Sequence, residues 1–90
     1  MRVRVKAFAR FREILGSDIP IEVPDGATMA AVLVALRDRA GGESDAIFDE
    51  GGALRAHVIL MRNGKRVKRD DSDALADGDE VALFPPVAGG

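Results

Sequence analysis

The sequence predicts an α+β fold in which one long helix packs across a curved sheet of about five short strands. Three observations carry that prediction. Alternating apolar and polar residues mark strands over residues 2–7 and 19–23, one stretch beginning at Met29 repeats apolar residues at helical spacing, and turn chemistry separates the segments. Ninety residues are enough for one domain, with no internal repeat or linker, so the expected division is a folded domain over 1–84 and an extended tail over 85–90.

The elements follow in order. In residues 2–6 charged side chains alternate with Val3, Val5 and Ala7, the period of a strand with one buried face. Phe8, Phe11 and Leu15 then fall at i, i+3 and i+7, which predicts one side of a short helix stopped by Gly16. Alternation resumes at Ile19, Ile21 and Val23; Pro20 within this run cannot donate to a ladder and places the strand at an edge or Pro20 early in it. Pro24-Asp25-Gly26 is a turn, and Thr28 is a candidate N-cap for the long helix carrying Met29, Val32, Leu33 and Leu36 on one face. Gly41-Gly42 ends it. Residues 43–54 read as irregular and acidic, anchored by Ile47, Phe48 and Leu54.

Residues 57–62 form a dense β-type run, followed by Asn63-Gly64, a strong hairpin signal because both residues accept positive φ. Residues 65–68 are the expected return strand. Residues 70–79 bring five aspartates (Asp70, Asp71, Asp73, Asp77 and Asp79) and one large apolar residue, Leu75, which predicts a surface connection ending in the Asp77-Gly78 turn. Residues 80–84 are the last strand, and Pro85-Pro86 forbids its continuation.

Composition excludes most catalytic chemistry. Without cysteine there is no disulfide, thiolate nucleophile or thiolate metal site, and the single histidine, His57, reads as structural or surface-exposed. Ser17, Ser44 and Ser72 sit in predicted loops with no activating motif, and the aspartates of residues 70–79 lack the glycine and closing glutamate of a calcium loop. A formal net charge of -2 argues against nucleic-acid binding, so the cationic cluster Arg62, Lys65, Arg66, Lys68 and Arg69 reads as a solvated face or a contact for an acidic partner. No apolar run approaches the ~20 residues of a membrane span. The expectation is a soluble cytoplasmic monomer that binds no metal or cofactor itself.

The C-terminal residues are the exception to this bland reading. Two prolines hold the chain stiff and extended as it leaves the last strand, and Val87-Ala88-Gly89-Gly90 then shrinks toward a carboxylate. Glycines without Cβ atoms let an enzyme backbone approach from either side, so such a tail can thread a narrow channel and present its carboxylate for adenylation.

The residues Gly78-Asp79-Glu80-Val81-Ala82-Leu83-Phe84-Pro85-Pro86-Val87-Ala88-Gly89-Gly90 resemble the C-terminal signature of the small, sulfur-carrying subunit of molybdopterin synthase. The Leu60-Met61-Arg62-Asn63-Gly64 hairpin and the Ile47-Phe48-Asp49 loop resemble the small archaeal ubiquitin-like modifier proteins of the same branch. The resemblance implies the β-grasp fold of ubiquitin. It further implies that a ubiquitin-activating-type enzyme, using ATP and magnesium, adenylates Gly90, after which sulfur replaces AMP to give a thiocarboxylate. Gly89 and Ala88 would thread the active sites, Phe84, Pro85, Pro86 and Val87 would line the partner contact, and the tail would enter the large synthase subunit.

Three functions are consistent with these features: a sulfur carrier for molybdenum cofactor biosynthesis, a modifier conjugated through Gly90 to target-protein lysines, and an interaction domain whose tail does no chemistry. In the last, Ile59, Met61 and Phe84 form an exposed apolar patch. Strand pleat sets Ile59 and Met61 opposite Val58 and Leu60, without indicating which pair faces outward.

Overall fold

The computed structural model describes residues 1–86; Val87, Ala88, Gly89 and Gly90 lie outside the described residues. Strand β1 (Arg2–Ala7) leads into a short helix α1 (Arg10–Leu15), then β2 (Asp18–Glu22), the long helix α2 (Met29–Ala40), and β3 (Ile59–Arg62), β4 (Lys65–Arg66) and β5 (Glu80–Phe84). They form one mixed sheet in the order β2-β1-β5-β3-β4, with β1 and β5 parallel at its centre and the other neighbours antiparallel. The expected class, a five-strand sheet with one main helix, is the class observed.

The two periods in the sequence create the core between them. On β1 the inward residues Val3, Val5 and Ala7 are buried, as are Val81 and Leu83 on β5 and Leu60 on β3. Met29, Val32, Leu36 and Ala40 recur every three or four residues along α2 and meet them as a continuous apolar stripe. Burying each large side chain contributes roughly 1.5–3 kcal/mol. Ile47, Phe48 and Leu54 are buried as anticipated, and an antiparallel bridge between Phe48 and Leu54 closes the loop they anchor. Pro20 lies on β2 at the sheet edge, where a missing N–H costs no ladder bond. Asn63 (φ 50°) and Gly64 (φ 82°) make the two-residue turn joining β3 to β4.

Some expectations need correction. Thr28 occupies the N-cap position of α2, but its side chain makes no capping hydrogen bond. Gly41, with φ 57°, ends α2 as expected, but the residues after it, read as irregular from Glu43, begin with a 3₁₀ turn over Gly41–Ala46. The strands predicted over 57–62 and 65–68 contract to Ile59–Arg62 and Lys65–Arg66, although Val67 N–H still donates to Leu60 O at 3.0 Å.

Two corrections alter the reading of the surface. Phe8 was expected on one side of a helix with Phe11 and Leu15; it precedes the helix, is 39% exposed and faces away from the core. The alternation of Val3, Val5 and Ala7 inward sends the next residue outward, and Ala9, with φ 54° and ψ −128°, turns the chain before α1 begins. Asp79, expected in a surface connection, is buried.

Candidate functional site

The sheet face opposite α2 carries Arg2, Arg4, Lys6 and Phe8 from β1 and its end, Glu80, Ala82 and Phe84 from β5, and Ile59 and Met61 from β3. Register decides which of these meet. Ile59 lies beside Phe84 and Met61 beside Ala82, while Lys6 flanks Ala82 from the other side. Leu60, paired with Leu83, points into the core, so Ile59 and Met61 are the outward pair.

The face divides into a charged half and an apolar half. Arg2 and Glu22 pair at 2.6 Å, Arg4 pairs with Asp18, and Lys6 and Glu80 pair at 3.2 Å. The hydrogen bond and charge of Arg4 hold the Asp18 carboxyl below its ordinary range. These exposed pairs contribute little to stability, but they match the charges of this half of the sheet to one another. Beyond them the centre of the face turns apolar. Phe8, Ala9, Ile59, Met61, Phe84, Pro85 and Pro86 line an open groove of about 460 Å³. The Phe8 and Phe84 rings stack within it, centroids 4.3 Å apart and planes 4° from parallel, and Phe8 N–H donates to Leu83 O at 3.2 Å.

Of the sequence-predicted partner residues, Phe84, Pro85 and Pro86 come together in this groove, and Ile59 and Met61 join them. Val87 lies outside the described residues, as do the predicted threading residues Ala88 and Gly89 and the predicted attachment point Gly90. Phe8 and Ala9 were missed. The available signal was parity: a strand beginning Val3, Val5, Ala7 places Phe8 on the outer face if it runs one residue further.

A polar cluster fixes the strand that leads to this exit. The Asp79 carboxylate accepts from Arg62 Nη2 at 2.9 Å, Asn63 Nδ2 at 2.9 Å and Ala76 N–H at 2.8 Å, while Asn63 Oδ1 accepts from Glu80 N–H at 2.8 Å. Burial pushes the Asp79 carboxyl up, but the bonds from Ala76 and Asn63 and the Arg62 guanidinium outweigh it and hold it below its ordinary value. The start of β5 is thereby tied to the β3–β4 turn and to the loop before it. His57, the other residue considered for chemistry, is exposed in a turn. Among the described residues no three His, Asp or Glu side chains are placed to hold a metal ion, and no helix is long and apolar enough to cross a membrane.

A small mixed sheet crossed by one helix, with parallel first and last strands at its centre, is the β-grasp architecture of ubiquitin-like proteins, and an apolar exit groove beside the final strand is the surface it offers. The ThiS family profile matches residues 5–90, and the chain belongs to that family. It is 39% identical over 93 residues to small archaeal modifier protein 3 of Haloferax volcanii, with all of both chains covered. It is 40% identical over 90 residues to the molybdopterin synthase sulfur carrier subunit of Escherichia coli, covering 98% of this chain and 99% of that one. The crystal structure of SAMP1 from Haloferax volcanii superposes with a TM-score of 0.87 at 35% identity, covering 100% of each chain.

Proposed function

We propose that this protein is a ubiquitin-like sulfur carrier for molybdenum cofactor biosynthesis, activated at Gly90. The observation that carries the reading is the apolar groove of Phe8, Ile59, Met61, Phe84, Pro85 and Pro86 at the point where the final strand gives way to the diglycine tail. It supplies a docking surface for a larger enzyme immediately beside the segment to be delivered. The family and the sulfur carrier subunits among its relatives support the same assignment.

In this scheme the Gly90 carboxylate attacks the α-phosphorus of ATP in a ubiquitin-activating-type enzyme, and magnesium pyrophosphate leaves. A hydrosulfide-equivalent donor then adds to the acyl carbon and expels AMP, giving the thiocarboxylate that enters the large subunit of molybdopterin synthase. The chain carries sulfur on its own terminal carbonyl and so needs no cysteine. Its contribution is recognition and delivery. ATP and magnesium belong to the activating enzyme, and the chain itself is a carrier rather than a catalyst.

The similarity to small archaeal modifier protein 3 supports a second reading, in which a lysine amine of a target protein attacks activated Gly90 and forms an isopeptide bond. Intact-mass analysis of the protein isolated from its native cells separates the two. A mass gain matching replacement of one oxygen by sulfur at Gly90 establishes the carrier. Free acid only, with higher-mass adducts that vanish on deletion of Gly89 and Gly90, establishes the modifier. If deletion changes neither adducts nor pterin sulfuration, both fail, and the interaction domain is what remains.

A further inference from the structure

The pleat of β3 serves two surfaces. Ile59 and Met61 point into the exit groove, whereas Val58 and Leu60 reach the opposite face and help to line a second concavity of about 660 Å³ beside β4. Its floor is apolar, made by Ala56, Val58, Leu60 and Val67, and its rim is cationic, made by Arg66, Lys68 and Arg69. Arg69 is held there by a 3.3 Å hydrogen bond from Nη1 to Leu54 O.

The rim carries three cations against one carboxylate, Asp70. The three basic residues of β1 each have a carboxylate partner, as does Arg62, but among the described residues no ion pair involves Arg66, Lys68 or Arg69. Asp70 lies at one corner of the concavity, and Asp71 and Asp73 border an adjoining one beyond Val67 and Lys68. β4 is also the last strand of the sheet, so its outer edge is available for backbone pairing.

We propose that this concavity is a docking site for a short acidic peptide segment of a partner protein, in which an apolar side chain sits on Val58 and Val67 and flanking carboxylates meet Arg66, Lys68 and Arg69. The apolar floor gives such a peptide something that a phosphodiester strand cannot use. The carboxylates of Asp70, Asp71 and Asp73 end the positive surface abruptly, which suits a segment of a few residues and opposes a long polyanion. Arg66, paired with Met61, reaches the concavity from the edge of the sheet, but no residue lines both this concavity and the exit groove, so a short segment held here leaves the groove uncovered.

The test uses the full ¹⁵N-labelled chain and three synthetic peptides sharing a Leu-Val-Leu centre, flanked by Asp and Glu, by Ser, or by Lys. The acidic peptide is expected to shift the amides of Val58, Leu60, Arg66, Val67 and Lys68 and to saturate at or below about 1 mM, an affinity suited to a small transient contact. Raising NaCl from about 0.05 to 0.3 M weakens it several-fold through screening. The Arg66→Glu/Lys68→Glu double variant, at exposed positions that leave the melting temperature unchanged, loses about tenfold or more in affinity, and Arg66→Gln/Lys68→Gln loses less. Equal binding of the Ser-flanked peptide, shifts centred on Phe8 and Met61, or no saturation by the acidic peptide overturns the proposal. So does tighter binding of a single-stranded oligonucleotide at this site, or self-association abolished by the double variant, which would assign the face to nucleic acid or to a second copy of the chain.

Discussion

Phe8, at the end of β1, stacks on Phe84, at the end of β5, with ring centroids 4.3 Å apart and the planes 4° from parallel. The two strands are already joined by a parallel ladder extending to Phe8 N–H and Leu83 O, so the stack closes the last open position of that pairing. Phe84 is followed directly by Pro85 and Pro86, whose fixed φ stiffens the chain as it leaves. The anchoring of Phe84, the residue before Pro85, therefore depends on a residue from the other end of the chain.

A double-mutant cycle measures this dependence. Phe8→Ala and Phe84→Ala each destabilise the fold modestly, and the stack appears as a coupling energy of about 0.5–1.5 kcal/mol in chemical denaturation, the range of offset aromatic pairs. Strictly additive losses would show that the rings touch without stabilising one another.

Replacing an apolar groove residue by a charge should separate docking from folding. Met61→Asp alters a partly exposed side chain on the outer face, so the melting temperature should fall by no more than a few degrees. Under the proposed function, adenylation of Gly90 by an activating enzyme should fall about tenfold or more, chiefly as a raised KM for this chain, because an unpaired carboxylate must be desolvated at the contact. An unchanged KM would move the docking surface elsewhere.

Asp79 is expected to contribute stability that is lost in acid. Its carboxyl is held below the ordinary aspartate value of 3.8, so on acidification the unfolded chain takes up the proton first. The stabilisation is complete above that value and is lost as pH falls through the lower native one. Asp79→Ala also strands the Arg62 guanidinium and the Asn63 amide, costing about 2–3 kcal/mol at neutral pH. Urea denaturation at pH 7 and pH 3 should show a large gap between wild type and variant at pH 7 and a smaller one at pH 3. A gap independent of pH would remove the carboxylate's charge from the explanation.

What the sequence revealed, and what it concealed, follows from the range of the interactions. Val3, Val5 and Ala7 alternate, Met29, Val32 and Leu36 follow the helical repeat, and Asn63-Gly64 encodes its own turn, so these elements could be read from neighbours in the chain. The burial of Asp79 could not, because its side-chain partners Arg62 and Asn63 lie 17 and 16 residues away and meet it only when β3 pairs with β5. Five of the seven groove residues were legible, since Ile59, Met61, Phe84, Pro85 and Pro86 stood out as candidates. Which face they occupy depended on Leu60 meeting Leu83 in the core, a long-range choice that pleat alone leaves open. Phe8 was hidden because the residue that turns the chain after β1 is Ala9, which carries no glycine-like signal for the turn it makes.

That same residue gives a stabilising prediction. Ala9 adopts φ 54° and ψ −128°, a conformation that disfavours any side chain with a Cβ and costs on the order of 1–3 kcal/mol outside glycine. Ala9→Gly relieves that strain, while the added freedom of the unfolded chain returns about 0.5–1 kcal/mol. The net expectation is a gain of about 1 kcal/mol, which in a domain of this size raises the melting temperature by roughly 4–8 °C. Ala9 also lines the exit groove, and glycine there removes one methyl group without introducing charge, so under the proposed function the KM of an activating enzyme for this chain should stay within about twofold of wild type. A melting temperature that falls would mean that the turn is not strained. A raised KM alongside a higher melting temperature would mean that the Ala9 methyl is itself part of the docking surface.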